Sequence, residues 1–447
     1  MNATKTDKIE NLISQAEAEL LPYFAQTDKI ALKNQKKVLD AFQKHKISDS
    51  HFNVSTGYGY NDKGRDALDL VWADVFESEA AFVRPHIVSG THAITIGLFG
   101  LLRPGDTMLS VTGLPYDTLL GPVGLKQNGA ESDSRRAGVV APYDNIGSLI
   151  DFGIKYKQTE LKNNSFDFEG ISEILENDKS IKVIFVQKSK GYKDRITIKN
   201  ESIGELVKFV GNVALDVPRT NEGGRPYNND IYVVVDNCYG EFVEEHEPGF
   251  YGADLIIGSL IKNPGGGIAE CGGYIAGTKK AVGLAAYRLT VPLVGTEVGA
   301  SLGLTGNIYK GLFFAPHVVS QSLKTARLAA YVYAKLGYEV NPKYDEERYD
   351  IIQSIKFLDE NKLINFIRGI QAGSAIDSHV IPEPWDMPGY DNKIIMASGS
   401  FTQGSSIEIS ADAPIKPPYM AFMQGGLTYE SGKLCVMKAL ECEEINF

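Results

Sequence analysis

The chain has 447 residues, of which 43% are hydrophobic and 23% charged, close to globular averages and enough for two or three domains with a large core. Its 45 Lys and Arg against 56 Asp and Glu leave a formal charge of −11, which argues against nucleic acid or an anionic membrane as a partner, because both need a basic face. Cys238, Cys271, Cys435 and Cys442 form no Cys-x-x-Cys pair, the start carries no apolar signal region, and no apolar stretch approaches the ~18 residues of a bilayer span, so a cytoplasmic protein with reduced thiols is expected.

Along the chain, residues 8–44 are charged and amphipathic, with Ile9, Leu12, Ile13 and Ala16 and then Ile30, Leu32, Val38, Leu39 and Phe42 at helical spacing. They read as an N-terminal helical arm of the kind that often packs on a second subunit. The Gly-Tyr-Gly-Tyr stretch at 57–60 suits an irregular loop. The segment 80–88 leads into Ser89-Gly90-Thr91-His92-Ala93 and then into an apolar helix over 94–102, stopped by Arg103-Pro104-Gly105-Asp106. Small and hydroxylated residues at a helix start leave N–H groups free for a phosphate, although Ser89 or Thr91 suits an ordinary N-cap equally well. A strand over 107–111 precedes Leu114-Pro115-Tyr116-Asp117, where Tyr116 could stack on a planar ring or sit exposed in a turn.

The strand at 182–186 runs into Gln187-Lys188-Ser189-Lys190-Gly191-Tyr192, which suits either a pocket edge or a solvated basic turn. The β-branched run at 231–235 reads as a buried parallel strand ending in Asp236, a carboxylate at the edge where ligands of open α/β folds bind. An Asp-Asn step alone would equally suit a turn cap. A second strand, 254–257, leads through Gly258-Ser259-Leu260-Ile261 to Lys262, 262 − 236 = 26 residues after Asp236, and then to Asn263-Pro264-Gly265-Gly266-Gly267. A lysine after a strand is usually a solvated loop residue. Desolvation at a buried strand end would instead lower its pKa and free its amine for a Schiff base with an aldehyde cofactor, while the glycines would let backbone pass close to a planar ring. The Asp236–Lys262 pairing favours the second reading of both residues.

A strand at 273–276 completes the alternating region. A long helix is expected over 318–336, and further strands at 351–356, 379–381, 393–397 and 406–409 suggest a smaller α+β unit. Residues 381–390 are too rich in proline for regular structure and read as a loop of the sort that borders active sites. The resulting division is 1–63 as the arm and connecting segment, 64–316 as a large mainly parallel α/β domain, and 317–447 as the small domain. No metal centre is expected.

The order Ser-Gly-Thr-His-Ala, Pro-Tyr-Asp-Thr, Val-Val-Asp-Asn-Cys-Tyr-Gly-Glu and Gly-Ser-Leu-Ile-Lys-Asn-Pro-Gly-Gly resembles the Cys/Met-metabolism branch of fold-type I pyridoxal-phosphate enzymes. Within it the chain looks most like the methionine gamma-lyase or aluminium resistance group, whose members are often called cystathionine beta-lyases. The likeness extends from Ser55-Thr56-Gly57-Tyr58 to Leu427-Thr428-Tyr429-Glu430.

The resemblance implies pyridoxal 5′-phosphate as cofactor, Lys262 as its Schiff-base lysine, Asp236 as partner of its pyridine nitrogen and Tyr116 as its stacking ring. It implies phosphate contacts from Ser89, Gly90, Thr91 and Ser259. Related lyases carry a threonine just before the lysine, and Ile261 stands there in this chain. They also use a Tyr-x-Arg element from a neighbouring subunit, for which Tyr58, Tyr60 or Arg65 are the candidates, so a homodimer or homotetramer is implied.

A substrate carboxylate calls for a cation, and Arg348, Arg368 and Lys416 are all open, the last standing where the related group has an arginine. The implied activity is carbon–sulfur lysis of a small amino-acid substrate such as cystathionine or methionine by β- or γ-elimination. Lys262 would move protons and Tyr116 would assist. Another pyridoxal-phosphate activity (transferase, transaminase or aldolase) or a non-catalytic stress-response paralogue are the alternatives.

Overall fold

The computed structural model describes residues 4–125, 146–213, 231–387 and 392–443. The charged amphipathic start forms one helix, α1 (Lys5–Lys44), opened by a capping box between Thr4 and Asp7. Its buried positions, Ile9, Ile13, Ala16 and Leu20, then Val38 and Ala41, keep helical spacing and pack within the same chain, the first four in the C-terminal core and the last two in the main core. Thus the arm's apolar stripe is covered by its own protein rather than held out for a partner. Leu32 and Leu39, expected on that stripe, are exposed.

After α2 (Lys63–Val75), strands β1 (Ala80–Arg84), β2 (Thr107–Ser110), β3 (Lys155–Gln158), β4 (Ile181–Gln187), β5 (Tyr232–Asp236), β6 (Leu255–Ser259) and β7 (Gly273–Gly277) form a seven-stranded sheet in the order β1-β7-β6-β5-β4-β2-β3. The pairings from β3 across to β6 are parallel, and β7 runs antiparallel to both β6 and β1. Both faces are covered, as the continuous apolar strands demand: Val233, Val235 and Ile256 enter one core while Val234, Leu255 and Ile257 enter the other. Helices α3 (Gly90–Leu101), α4 (Asp117–Val123), α5 (Phe168–Asn177), α6 (Asn200–Val213) and α7 (Lys279–Leu289) supply the covering layers. The α/β architecture with a mainly parallel sheet is therefore as expected.

The helix expected to start at Val318, after Pro316, begins thirteen residues earlier. Helix α8 (Thr305–Lys335) runs straight through Pro316. Its first half packs on the 3-10 turn Asn263–Gly265 that follows Lys262, and its second half joins the C-terminal core. Tertiary packing on both sides outweighs the backbone hydrogen bond that the proline cannot donate.

Strands β8 (Glu339–Asn341), β9 (Gln353–Lys356), β10 (Ile394–Ser398), β11 (Ser410–Pro414) and β12 (Met420–Gln424) make a second sheet in the order β10-β11-β12-β9-β8, backed by α9 (Glu360–Gly373) and α10 (Tyr429–Cys442). All its pairings are antiparallel. Two expected strands are absent. Residues 379–381 form no strand: His379 lies in a turn closed by the Val380 N–H on the Asp377 carbonyl at 2.9 Å, and Val380 and Ile381 are exposed. Residues 406–409 form a turn in which the Glu408 carboxylate accepts the Phe401 and Thr402 N–H groups, and the strand starts one residue later. Residues 381–387 are irregular as expected, and 388–390 of the same loop lie outside the described residues. Among the described residues no helix is long and apolar enough to cross a membrane.

Candidate active site

The cavity lies where the carboxyl ends of β4, β5 and β6 meet the second sheet, the position that open α/β folds favour for ligands. It has a volume of about 590 Å³, within the range of small-molecule sites. Asp236, Ser259, Lys262, Tyr116 and the Ser89-Gly90-Thr91 start of α3 all line it. They arrive from four parts of the chain, and the strand register explains the floor. Asp236 pairs with Ile257, so the continuation of β6 carries Ser259 and then Lys262 past the carboxylate.

At the mouth of α3, Ser89 caps the helix by accepting the His92 N–H at 3.0 Å, so its N-cap role is real. Gly90 is packed against the floor: a Cβ there would stand 3.4 Å from both Cys238 Sγ and Ser259 Cβ. The Tyr116 hydroxyl lies 2.8 Å from Thr91 Oγ1, which is also 3.1 Å from Thr118 Oγ1. The Tyr116 N–H donates to Gln187 Oε1 at 2.7 Å, tying the tyrosine to the end of β4. Burial pushes the Tyr116 hydroxyl pKa upward, so it holds its proton.

Asp236 is buried, and the hydrogen bond it accepts from the main chain is the Cys238 N–H at 3.1 Å. Burial drives its carboxyl above the ordinary range, opposed chiefly by Lys262. The Lys262 ammonium rests 4.1 Å from the centroid of the Tyr239 ring. Burial alone would pull it down, as anticipated, but the acidic groups around it, Cys238, Tyr239, Asp236 and Tyr116, outweigh that and hold it well above its ordinary value. The expectation of a lowered lysine is therefore corrected: desolvation is present but loses to the acids that surround it.

A second correction concerns the glycines. None of Gly265, Gly266 and Gly267 lines the cavity. A Cβ on Gly265 would come 1.7 Å from the Leu260 carbonyl oxygen, one on Gly266 2.5 Å from the Gly311 carbonyl oxygen, and one on Gly267 2.3 Å from the Leu427 side chain. Gly266 admits helix α8 against the lysine-bearing turn, Gly265 lets the turn close on its own backbone, and Gly267 leaves room for Leu427. Gly266 and Gly267 also adopt positive φ, which a side chain would strain.

Other anticipated residues lie elsewhere. Tyr58 and Tyr60 are exposed, tilted on one another with ring centroids 5.7 Å apart, and outside the cavity of their own chain. Arg65 is turned inward. Its guanidinium donates to Asp66 at 2.7 and 2.9 Å and to the carbonyls of Gly59 and Gly299, so a contact from Arg65 to a phosphate is not what this geometry offers.

Of the three candidate cations for a substrate carboxylate, Lys416 lines the cavity. Arg348 is buried against Gln353 and the Ala326 carbonyl, and Arg368 donates to the Pro382 carbonyl beside Glu383. The basic segment after β4 is no solvated turn: Lys188 is fully buried on Glu244, and the buried Lys190 lines the cavity while donating to the Asn341 carbonyl at 2.9 Å. Desolvation draws Lys190 down to about 8.

Sequence reasoning passed over Tyr239, Asp412 and Gln424, all of which line the cavity, as do Gln187 and Tyr192 of the segment read as a pocket edge or a basic turn. Tyr239 had a signal in its neighbours, since it follows the Asp236 turn. Asp412 had none, because Ser-Ala-Asp-Ala-Pro is poor in strand formers.

A buried carboxylate with no ion pair among the described residues, a lysine beyond the adjoining strand end and the N-terminus of α3 fit the nitrogen, aldehyde and phosphate of pyridoxal phosphate. The chain matches the family model described as methionine gamma-lyase over residues 9–444. The uncharacterized protein YnbB of Bacillus subtilis (strain 168) is 47% identical over 98% of this chain and 97% of its own length. A carbon–sulfur lyase involved in aluminum resistance from Clostridium novyi NT has a TM-score of 0.87 at 48% identity, covering 97% of this chain and 95% of that one. A candidate cystathionine beta-lyase involved in aluminum resistance from Clostridium acetobutylicum gives 0.89 at 47%, covering 98% and 96%.

Proposed function

Because this chain belongs to the methionine gamma-lyase family, we propose that it is a carbon–sulfur lyase that acts on a sulfur amino acid such as cystathionine or methionine by β- or γ-elimination. Pyridoxal 5′-phosphate is the cofactor of this family. The observation that carries the reading is the convergence of Lys262, Asp236 and Tyr116 on one cavity.

Lys262 would hold the cofactor's aldehyde carbon, Asp236 its ring nitrogen, Tyr116 its face, and Ser89, Gly90, Thr91 and Ser259 its phosphate. When bound, the cofactor supplies a ring able to accept the electron pair left at the substrate α-carbon. The chain's own groups do the rest. Asp236 keeps a positive charge favourable at the cavity floor. Lys262 Nζ is the base that takes the α-proton and, in the γ route, a second proton from Cβ. Its acidic surroundings favour the protonated form, so it can also give a proton back. The Tyr116 hydroxyl, fixed by Thr91 and protonated at neutral pH, is placed to donate toward a departing sulfur. Lys190 and Lys416 make the cavity attractive to a substrate carboxylate.

We extend the reading to assembly, with a homodimer or homotetramer as the active form. Val54, Tyr58, Tyr60 and Leu302 are exposed, on segments joined where the Gly299 N–H donates to the Tyr58 carbonyl and the Leu302 N–H to the Ser55 carbonyl. An apolar surface of this kind is a natural seat for a second copy.

Incubation with methionine and with cystathionine separately, followed by keto-acid identification, tests the activity. Pyruvate marks β-elimination and 2-oxobutanoate marks γ-elimination. An exchange or transamination product without either acid overturns the lyase reading.

A further inference from the structure

The roof of the cavity is one face of the second sheet. Along β10, β11 and β12, Ile394, Met396, Asp412, Pro414, Phe422 and Gln424 face the cavity. The alternate positions Ile395, Ala397, Ala411, Ala413, Ala421 and Met423 face the C-terminal core. This is the two-residue period of a strand buried on both sides. Asp412 stands in the middle of that roof, opposite Met396 on one neighbouring strand and Phe422 on the other. It is a carboxylate set among apolar groups.

Such a charge is costly unless something answers it. The Tyr192 hydroxyl and the Gln424 amide, the latter at 3.4 Å, are its hydrogen-bond partners, and Tyr192 is itself wedged against Phe422 with ring centroids 5.2 Å apart. Two neutral donors do not exhaust a carboxylate's acceptor sites. Lys262 is the cation that acts on it, and among the described residues no Lys or Arg makes a direct ion pair with it. Burial raises its carboxyl to about 6, against the lowering pull of Gln424, Tyr192 and Lys262.

An amino-acid end brings one carboxylate, which Asp412 would repel and the cavity cations Lys190 and Lys416 would attract, and one α-amine. The proposed reaction commits the first α-amine at the Lys262 end, and in cystathionine the far end brings a second ammonium together with a second carboxylate. A carboxylate in the roof is useful when the substrate carries a further cation. Resting on the lyase reading above, we propose that Asp412 is the specificity residue, accepting a second ammonium group carried beyond the sulfur. It selects thioethers with an amino group on both sides of sulfur over those ending in an uncharged group. Tyr192 and Gln424 are positioning residues that hold the carboxylate toward the cavity.

The test compares wild type with Asp412→Asn and Asp412→Glu, using cystathionine as the diamino thioether and methionine as the uncharged-ended one. Loss of a charge-assisted hydrogen bond is expected to lower the cystathionine-to-methionine ratio of kcat/KM by about tenfold or more in Asp412→Asn, with partial recovery in Asp412→Glu. A second readout needs no turnover: calorimetric binding of each amino acid to Lys262→Ala supplied with pyridoxal phosphate. Cystathionine is expected to bind more tightly, and the preference to vanish when Asp412→Asn is added. An unchanged ratio, an equal loss for both substrates, or no binding preference overturns the assignment. If wild type releases no keto acid while the binding preference holds and depends on Asp412, the lyase reading fails and the recognition role stands.

Discussion

Lys262 and Tyr239 meet as a cation over a ring, the ammonium nitrogen 4.1 Å from the ring centroid. Tyr239 reaches that position from a left-handed backbone, φ 73°, which a bulky residue adopts only when its surroundings compel it. A partly desolvated cation–π contact is worth about 1–2 kcal/mol. Tyr239→Leu is therefore expected to lower the pH at which Lys262 becomes reactive by roughly one unit, whereas Tyr239→Phe, which keeps the ring but loses the acidic hydroxyl, is expected to fall between Leu and wild type. Labelling of Lys262 by an amine reagent as a function of pH checks this. Identical profiles for Leu and wild type would contradict it.

Asp236 has opposite effects on stability and activity. Its folded carboxyl is raised, so above the ordinary Asp range the unfolded chain releases its proton more readily, and burying the charge lowers stability. Asp236→Asn without cofactor is expected to melt above wild type at neutral pH, with the gap closing as the pH falls. With cofactor the same variant is expected to lose most turnover. Thermal melts across pH, alongside activity assays, check both halves.

Glu241 provides a pH dependence of known sign. It is buried beside the Tyr274 hydroxyl at 2.9 Å, and desolvation raises it from 4.5 to about 8. Between those values the folded chain keeps a proton that the unfolded chain gives up. Stability should fall as pH rises through that window and level off above about 8. Glu241→Gln is expected to flatten the slope in denaturant titrations, and an unaltered slope would contradict the assignment.

Gly311 marks where helix α8 meets the lysine-bearing turn. A Cβ there would stand 2.3 Å from the Gly265 carbonyl oxygen, backbone against backbone. Gly311→Ala is expected to cost about 1–3 kcal/mol, seen as a lower midpoint in denaturant, and to reduce activity by shifting Lys262.

For assembly, light scattering is expected to give twice or four times the 48.9 kDa chain mass. A fully active particle of one chain mass would contradict the proposed partner surface.

The floor of the site is legible in the sequence because β-branched runs ending in Asp236 and near Lys262 announce parallel strands whose ends must lie together. The roof is not legible. Residues 410–414 carry Ala, Asp and Pro, and they form a strand because neighbours on both sides pair with them, not from their own propensity. Pro316 and the 265–267 glycines mislead for a related reason. Each reads locally as a break or a ligand cradle, and packing settles it otherwise: Pro316 lies inside α8, Gly266 meets α8 and Gly267 meets Leu427, contacts between segments distant in the chain. Arg65 looks like a free cation only until its partners at Gly59, Asp66 and Gly299 are seen.

The central claim is that Lys262 holds an aldehyde cofactor over Asp236. Borohydride reduction of the purified holoprotein followed by peptide mapping tests it most directly. The account predicts a violet-absorbing band that disappears on reduction and leaves a pyridoxyl group on Lys262. A label on another lysine, or no band after incubation with pyridoxal phosphate, would contradict it.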